Sequence, residues 1–170
     1  MQDILIVIDM QNDFINGSLG TKEAEDIVDN VKNKIQSYLD ANKKVFFTRD
    51  THYTYYLETF EGKNLPVPHC IENTEGWQIS KELPFNDEQC FIQNKNTFGY
   101  LNWKNILPCN SGIEICGLCT DICVISNALI LRALYPNTII TVDSKCCAGV
   151  TPELHNAALE IMKSNQIEVV

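Results

Sequence analysis

Five consecutive apolar positions, Ile4 to Ile8, stand between Asp3 and Asp9. Such a run reads as a strand buried on both faces of a parallel sheet, delivering Asp9 to its C-terminal end. The polar, glycine-containing stretch Met10 to Gly20, with Phe14 inside it, follows as a loop over that edge. From Thr21 to about Asn42 the residues Ile27, Val28, Val31, Ile35, Tyr38 and Leu39 recur at intervals of three and four, which predicts one crossover helix with a single buried stripe. Lys44 to Thr48 is a second strand closing on Arg49-Asp50, and Gln89 to Gln93 a third, with Lys95 just past its end. A short helix is expected over Tyr100 to Leu107. Ile113 to Cys116 makes a fourth strand, followed by a helical run from Ile122 to Leu134. Thr138 to Asp143 is a fifth strand, after which Thr151-Pro152 opens a helix with proline in its first position, where the missing N–H costs nothing. Leu154, Ala157, Ala158, Ile161 and Met162 are the expected buried face of that helix, and Ile167 to Val170 is a sixth strand.

Strands alternating with helices predict an α/β fold, a doubly wound, mostly parallel six-stranded sheet with helices on both faces and right-handed crossovers. A chain of 170 residues is long enough for one domain, 1–170, to bury its own core. Only Asp50 to about Asp87 breaks the alternation: it has no sustained period, three prolines (Pro66, Pro68, Pro84) and many aromatics. Long irregular loops in compact domains are uncommon and usually functional.

Composition narrows the partners. With 45% apolar and 21% charged residues the chain is ordinary globular protein, and a net charge of −9 argues against a nucleic-acid backbone as partner. No apolar run approaches the roughly 18 residues of a membrane span, and no basic, cleavable leader opens the chain, so a cytoplasmic protein without a membrane partner is expected. In that compartment the eight cysteines read mostly as core residues rather than disulfides. Cys116 and Cys119 are spaced as C-x-x-C, but a zinc ribbon needs a second well-spaced pair, and Cys146-Cys147 are adjacent.

Open α/β sheets bind ligands at the C-terminal ends of their strands, and Asp9, Lys95 and Cys123 all fall there. In Gly117-Leu118-Cys119-Thr120-Asp121-Ile122-Cys123 a strand gives way to a helix. Thr120 fits the N-cap, so Cys123 is expected in the first turn, where the positive helix end favours the thiolate. Lys95 would favour both the carboxylate and the thiolate, while Asp9 could carry the proton that an attack on a carbonyl displaces. In the irregular loop, Asp50 and His52 lie two apart on one face and His69 follows, an oxygen and nitrogen donor set suited to zinc, iron or manganese. His155, on the last helix, is expected to be solvated.

Together, Val7-Ile8-Asp9-Met10-Gln11-Asn12-Asp13-Phe14, Arg49-Asp50-Thr51-His52, Pro68-His69-Cys70 with Thr74 and Gly76, Lys95, and Gly117 to Val124 resemble the isochorismatase-like cysteine hydrolases, and within them the nicotinamidases. The resemblance runs nearly end to end. It implies an Asp9/Lys95/Cys123 triad in which the Cys123 sulfur attacks a carboxamide and forms a thioester. It implies a cis peptide before Cys119, with the amides of Cys119 and Cys123 as oxyanion hole. It further implies a divalent metal, zinc ahead of iron or manganese, held by Asp50, His52 and His69. The family's further metal-loop histidine is absent, and Glu61, ahead of Glu58, is the candidate for that place. Phe14 matches an aromatic that flanks the substrate ring, and Leu118 and Tyr100 are the other expected substrate contacts. Cys119 stands where alanine is commoner, and Leu65-Pro66-Val67 replaces an aromatic before the Pro-His pair.

The expected reaction is hydrolysis of a linear carboxamide, nicotinamide to nicotinate and ammonia, in pyridine nucleotide (NAD) salvage, with a small molecule as substrate and a homo-oligomer as an open possibility. The alternatives are another cysteine amidase of the group, acting on a carbamoyl or ureido substrate without need of the metal loop, or a non-catalytic redox or zinc module built on the cysteines.

Overall fold

A computed structural model describes residues 2–108 and 111–170. Its sheet has six strands, all parallel: β1 (Ile4–Ile8), β2 (Lys44–Asp50), β3 (Cys90–Lys95), β4 (Ile113–Leu118), β5 (Ile140–Ala148) and β6 (Glu168–Val169), in the spatial order β3-β2-β1-β4-β5-β6. The chain runs outward from β1 to β3, returns to lay β4 on the other side of β1, and then runs outward the opposite way. With right-handed crossovers that reversal puts α3 (Val28–Asp40) and α6 (Ile125–Leu134) on opposite faces. It also makes the ends of β1 and β4 the topological switch point where such sheets form a crevice.

Every residue of β1 and β4 is buried, as expected for central parallel strands. At Gly117 (φ +118°) β4 presses against β1 so closely that a Cβ would stand 2.1 Å from the Ile8 carbonyl oxygen, so glycine alone fits. In the register of β2 on β3, Asp50 lies opposite Lys95.

Several expectations change. The predicted helix over 21–42 is two, α2 (Lys22–Asp26), capped by the Thr21 hydroxyl on the Ala24 amide, and α3, with the break at Ile27. The loop after β1 contains a single turn of helix, α1 (Asn12–Ile15), and the irregular segment contains a 3₁₀ turn at Tyr56–Glu58 and α4 (Phe60–Asn64). The short helix near Tyr100 narrows to α5 (Trp103–Ile106). β5 runs on past Asp143 to Ala148, after a register shift against β4, and so buries Cys146 and Cys147. The last helix, α7 (Pro152–Ser164), packs through Ala158, Leu159 and Met162, leaving Ala157 exposed and Leu154 and Ile161 about half exposed, because the helix is turned about its axis so that Leu159 rather than Leu154 faces the core. The seven described cysteines are free and six are buried, while Cys109 lies outside the described residues. No helix among the described residues is long and apolar enough to cross a membrane.

Candidate active site

Directly after β1 comes Asp9, whose backbone turns into the left-handed region (φ +47°) and whose side chain is wholly buried. Thr48, at the end of β2, holds it: the hydroxyl donates to Asp9 Oδ1 at 2.6 Å and accepts from the Asp9 amide at 3.1 Å. Lys95, at the end of β3, sets its ammonium 2.7 Å from Asp9 Oδ2, 3.4 Å from Asp50 Oδ1 and 3.6 Å from Cys123 Sγ, and donates to the Thr97 carbonyl at 3.0 Å. Asp9, Lys95 and Cys123, far apart in sequence, thus meet at the switch point.

Cys123 sits on one π turn, Thr120–Val124, closed by the Val124 amide on the Cys119 carbonyl at 3.0 Å, and the Leu118–Cys119 peptide preceding it is cis. Thr120 does not cap this turn. Its buried hydroxyl is hydrogen-bonded to Nδ1 of His155, 2.8 Å away, so His155 is half-buried rather than solvated. Asn127, which the sequence did not single out, fixes the turn from behind by donating to the Cys123 carbonyl at 2.8 Å while its Oδ1 accepts from the Tyr100 amide and the Trp103 indole.

The surroundings of the thiol do not favour the expected thiolate. Burial pushes Cys123 well above the ordinary cysteine value, Lys95 pulls it back, and the Asp9 and Asp50 carboxylates push it up again. The two carboxylates are driven apart. Burial raises Asp9, and Lys95 only partly offsets it. Burial also works against ionised Asp50, but Lys95, His52 and His69 outweigh it and hold Asp50 below the usual carboxylate value. Lys95 keeps its proton, because Asp9, Cys123 and Asp50 more than offset its burial.

Asp50, His52, Glu61 and His69 form the second constellation, one donor atom from each lying within 4.8 Å of the others. His52 Nε2 is 3.1 Å from Asp50 Oδ2 and 3.6 Å from Glu61 Oε1, and His69 Nε2 is 3.9 and 3.7 Å from the same atoms. Ligands about 2.1 Å from one tetrahedral ion stand roughly 3.4 Å apart, so this donor set fits a single divalent cation. His69 Nδ1 is 2.8 Å from the Val67 carbonyl, which directs Nε2 into the cluster. Glu58 is exposed and outside the cluster.

One cavity of about 260 Å³ joins the two constellations, bordered by Phe14, Asp50, Glu61, His69, Cys119 and Cys123. Leu118 and Tyr100, expected as substrate contacts, do not border it. Leu118 is buried in β4, and Tyr100 hydrogen-bonds Gln93 and packs edge-on against Trp103. In their place stand Leu19, Thr21, Phe98 and Val150, on loops where no period marks an inward-facing residue.

The model of the Isochorismatase domain family matches residues 3–170. Over 98% of this chain and 98% of its own length, the nicotinamidase of Saccharomyces cerevisiae is 26% identical. The nicotinamidase/pyrazinamidase of Mycobacterium tuberculosis is 26% identical over 98% of this chain and 97% of its own. Among solved structures, the pyrazinamidase of Pyrococcus horikoshii in complex with zinc superposes with a TM-score of 0.81 at 28% identity, covering 98% of this chain and 97% of that one. The nicotinamidase/pyrazinamidase of Bacillus subtilis reaches 0.83 at 26% identity over the whole of both chains.

Proposed function

The chain belongs to the isochorismatase domain family, and we propose that within it the protein is a nicotinamidase, converting nicotinamide and water to nicotinate and ammonia through a thioester on Cys123. The observation that carries this reading is the shared cavity: the Cys123 thiol borders the same small space as Asp50, Glu61 and His69, three of the four members of the histidine and carboxylate cluster. An amidase working through the triad alone has no use for that cluster.

Burial raises Asp9 and Cys123 alike, which favours a resting thiol and makes the Asp9 carboxylate a stronger base than usual. As sulfur approaches the carboxamide carbon, the thiol proton passes to Asp9, whose Oδ2 has no hydrogen bond of good geometry despite the nearby ammonium. Lys95 stabilises the charge on either partner without giving up its own proton. The oxyanion is met by the backbone amides of Cys119 and Cys123, donors of a kind often worth about 3–4 kcal/mol each. Asp9 then protonates the departing ammonia, takes a proton from water as it attacks the thioester, and returns one to sulfur when the acid leaves. Asp50, His52, Glu61 and His69 would hold a divalent metal, zinc being the ion in the Pyrococcus horikoshii pyrazinamidase structure. When bound, that ion supplies a Lewis acid that can engage the pyridine nitrogen. Phe14, packed against His69 with ring centroids 5.4 Å apart, offers a face to the substrate ring.

Ammonia release from nicotinamide, pyrazinamide and a ureido compound, with Cys123→Ala as control, tests the proposal. Turnover of the two ring carboxamides that is lost in Cys123→Ala is expected. Turnover of the ureido compound at the rate of nicotinamide or above would overturn the substrate assignment.

A further inference from the structure

The catalytic cavity, about 260 Å³, lies below the size of clefts that usually enclose a drug-sized ligand, and nicotinamide is small enough to suit it. Beside it runs a groove of about 630 Å³, and four side chains, Glu61, Leu65, Phe98 and Ile122, border both spaces. Leu65 and Phe98 are exposed side chains, so the threshold between the two spaces is not a packed wall. Beyond it Tyr53 and Tyr55 stack with ring centroids 5.6 Å apart and planes 20° from parallel, and Phe60, at the start of α4, is 86% exposed. Large aromatic faces gathered in water beside a catalytic cavity mark a binding surface. The described residues that border the groove include no lysine or arginine, and the chain carries a net charge of −9, so a phosphate or carboxylate is a poor occupant.

On the footing of the nicotinamidase reading, we infer that this groove is a subsite for a flat, uncharged substituent on the ring of the substrate. The enzyme then hydrolyses ring-substituted pyridine carboxamides whose bulk the catalytic cavity alone could not enclose. The amide lies over Cys123, the substituent crosses the threshold at Phe98 and Leu65, and its far end rests on the Tyr53/Tyr55 stack and Phe60. Discrimination comes from aromatic contact, and a negatively charged substituent is rejected for want of a cation.

The test compares nicotinamide with 5-phenyl- and 6-phenylnicotinamide and their carboxyphenyl counterparts, in the wild type, Tyr55→Ala and Phe60→Ser, each protein checked by light scattering. Both substituted residues lie on the groove alone and outside the catalytic machinery. The expected result is hydrolysis of nicotinamide and at least one phenyl compound, with the carboxyphenyl compounds poorer. In the variants kcat/KM for the phenyl compound falls by about threefold to tenfold while that for nicotinamide stays within about twofold. Hydrolysis of nicotinamide but of neither phenyl compound, or equal loss on both substrates, overturns the subsite and leaves the nicotinamidase reading standing. Hydrolysis of a phenyl compound alone upholds the subsite and overturns that reading, and hydrolysis of none overturns both. A dimer that either variant converts to monomer identifies the groove as covered by a second copy, which also overturns the subsite.

Discussion

Replacing Lys95 by methionine removes a cation that touches Asp9, Asp50 and Cys123 together. At an effective dielectric of about 20, its separations of 2.7 Å from Asp9 and 3.4 Å from Asp50 correspond to attractions of about 6 and about 5 kcal/mol. Desolvation of three buried groups takes back much of that, and breaking a buried pair typically costs about 3–5 kcal/mol. In urea unfolding at pH 7 Lys95→Met should therefore lose about 3–5 kcal/mol. The deficit should narrow as pH falls, because Asp9, already raised by burial, rises further without the ammonium, and the folded state then takes up a proton that the unfolded chain does not. A neutral Asp9 cannot accept the thiol proton, so kcat/KM should drop by about 10²–10⁴. The double variant Asp9→Asn/Lys95→Met removes the stranded charge and should recover much of the stability but none of the activity. Activity within tenfold of wild type in Lys95→Met, or a double variant no more stable than the single one, would refute the reasoning.

Purified without chelator, the protein should carry one divalent ion per chain by elemental analysis. Glu61→Ala should weaken metal binding by about tenfold or more in calorimetric titration, with Glu58→Ala indistinguishable from wild type. His155→Leu leaves the Thr120 hydroxyl buried without its partner and should cost about 1–3 kcal/mol in thermal or urea unfolding, with His155→Asn losing less. At the opposite end of the sheet, Lys34 bridges Glu114 and Asp143, 2.7 Å from the latter, and Tyr38 donates to Glu114. Lys34→Met should lose about 2 kcal/mol at pH 7. Burial works against ionised Asp143, but Lys34 holds it below the usual carboxylate value, so its contribution exists above the unfolded value near 4 and vanishes as pH falls through the lowered one. The gap between Lys34→Met and wild type should shrink over that interval in unfolding measured across pH.

What the sequence made legible was local. Ile4 to Ile8 and Ile113 to Cys116 are bounded apolar runs, so two strand ends, and with them Asp9 and the segment leading to Cys123, are legible in the sequence. The break at Ile27 was hidden because the apolar stripe runs through it, and α4 was hidden because only Gly62 of its five residues is buried, which leaves no period to see. Contacts between distant segments were not legible at all: Thr48 under Asp9, Asn127 behind the Cys123 carbonyl, and His155 on Thr120, 35 residues away. The thiol shows why this matters for chemistry. Reasoning from the helix end weighs one local dipole and favours a thiolate, whereas the sulfur is buried near two carboxylates brought by other strands, which together raise its pKa. A buried neutral thiol is a poor nucleophile alone, and Asp9, raised by the same burial, is the base within its reach. The burial that suppresses ionisation of the thiol therefore also raises the basicity of the carboxylate, and on the proposed mechanism the two shifts work together.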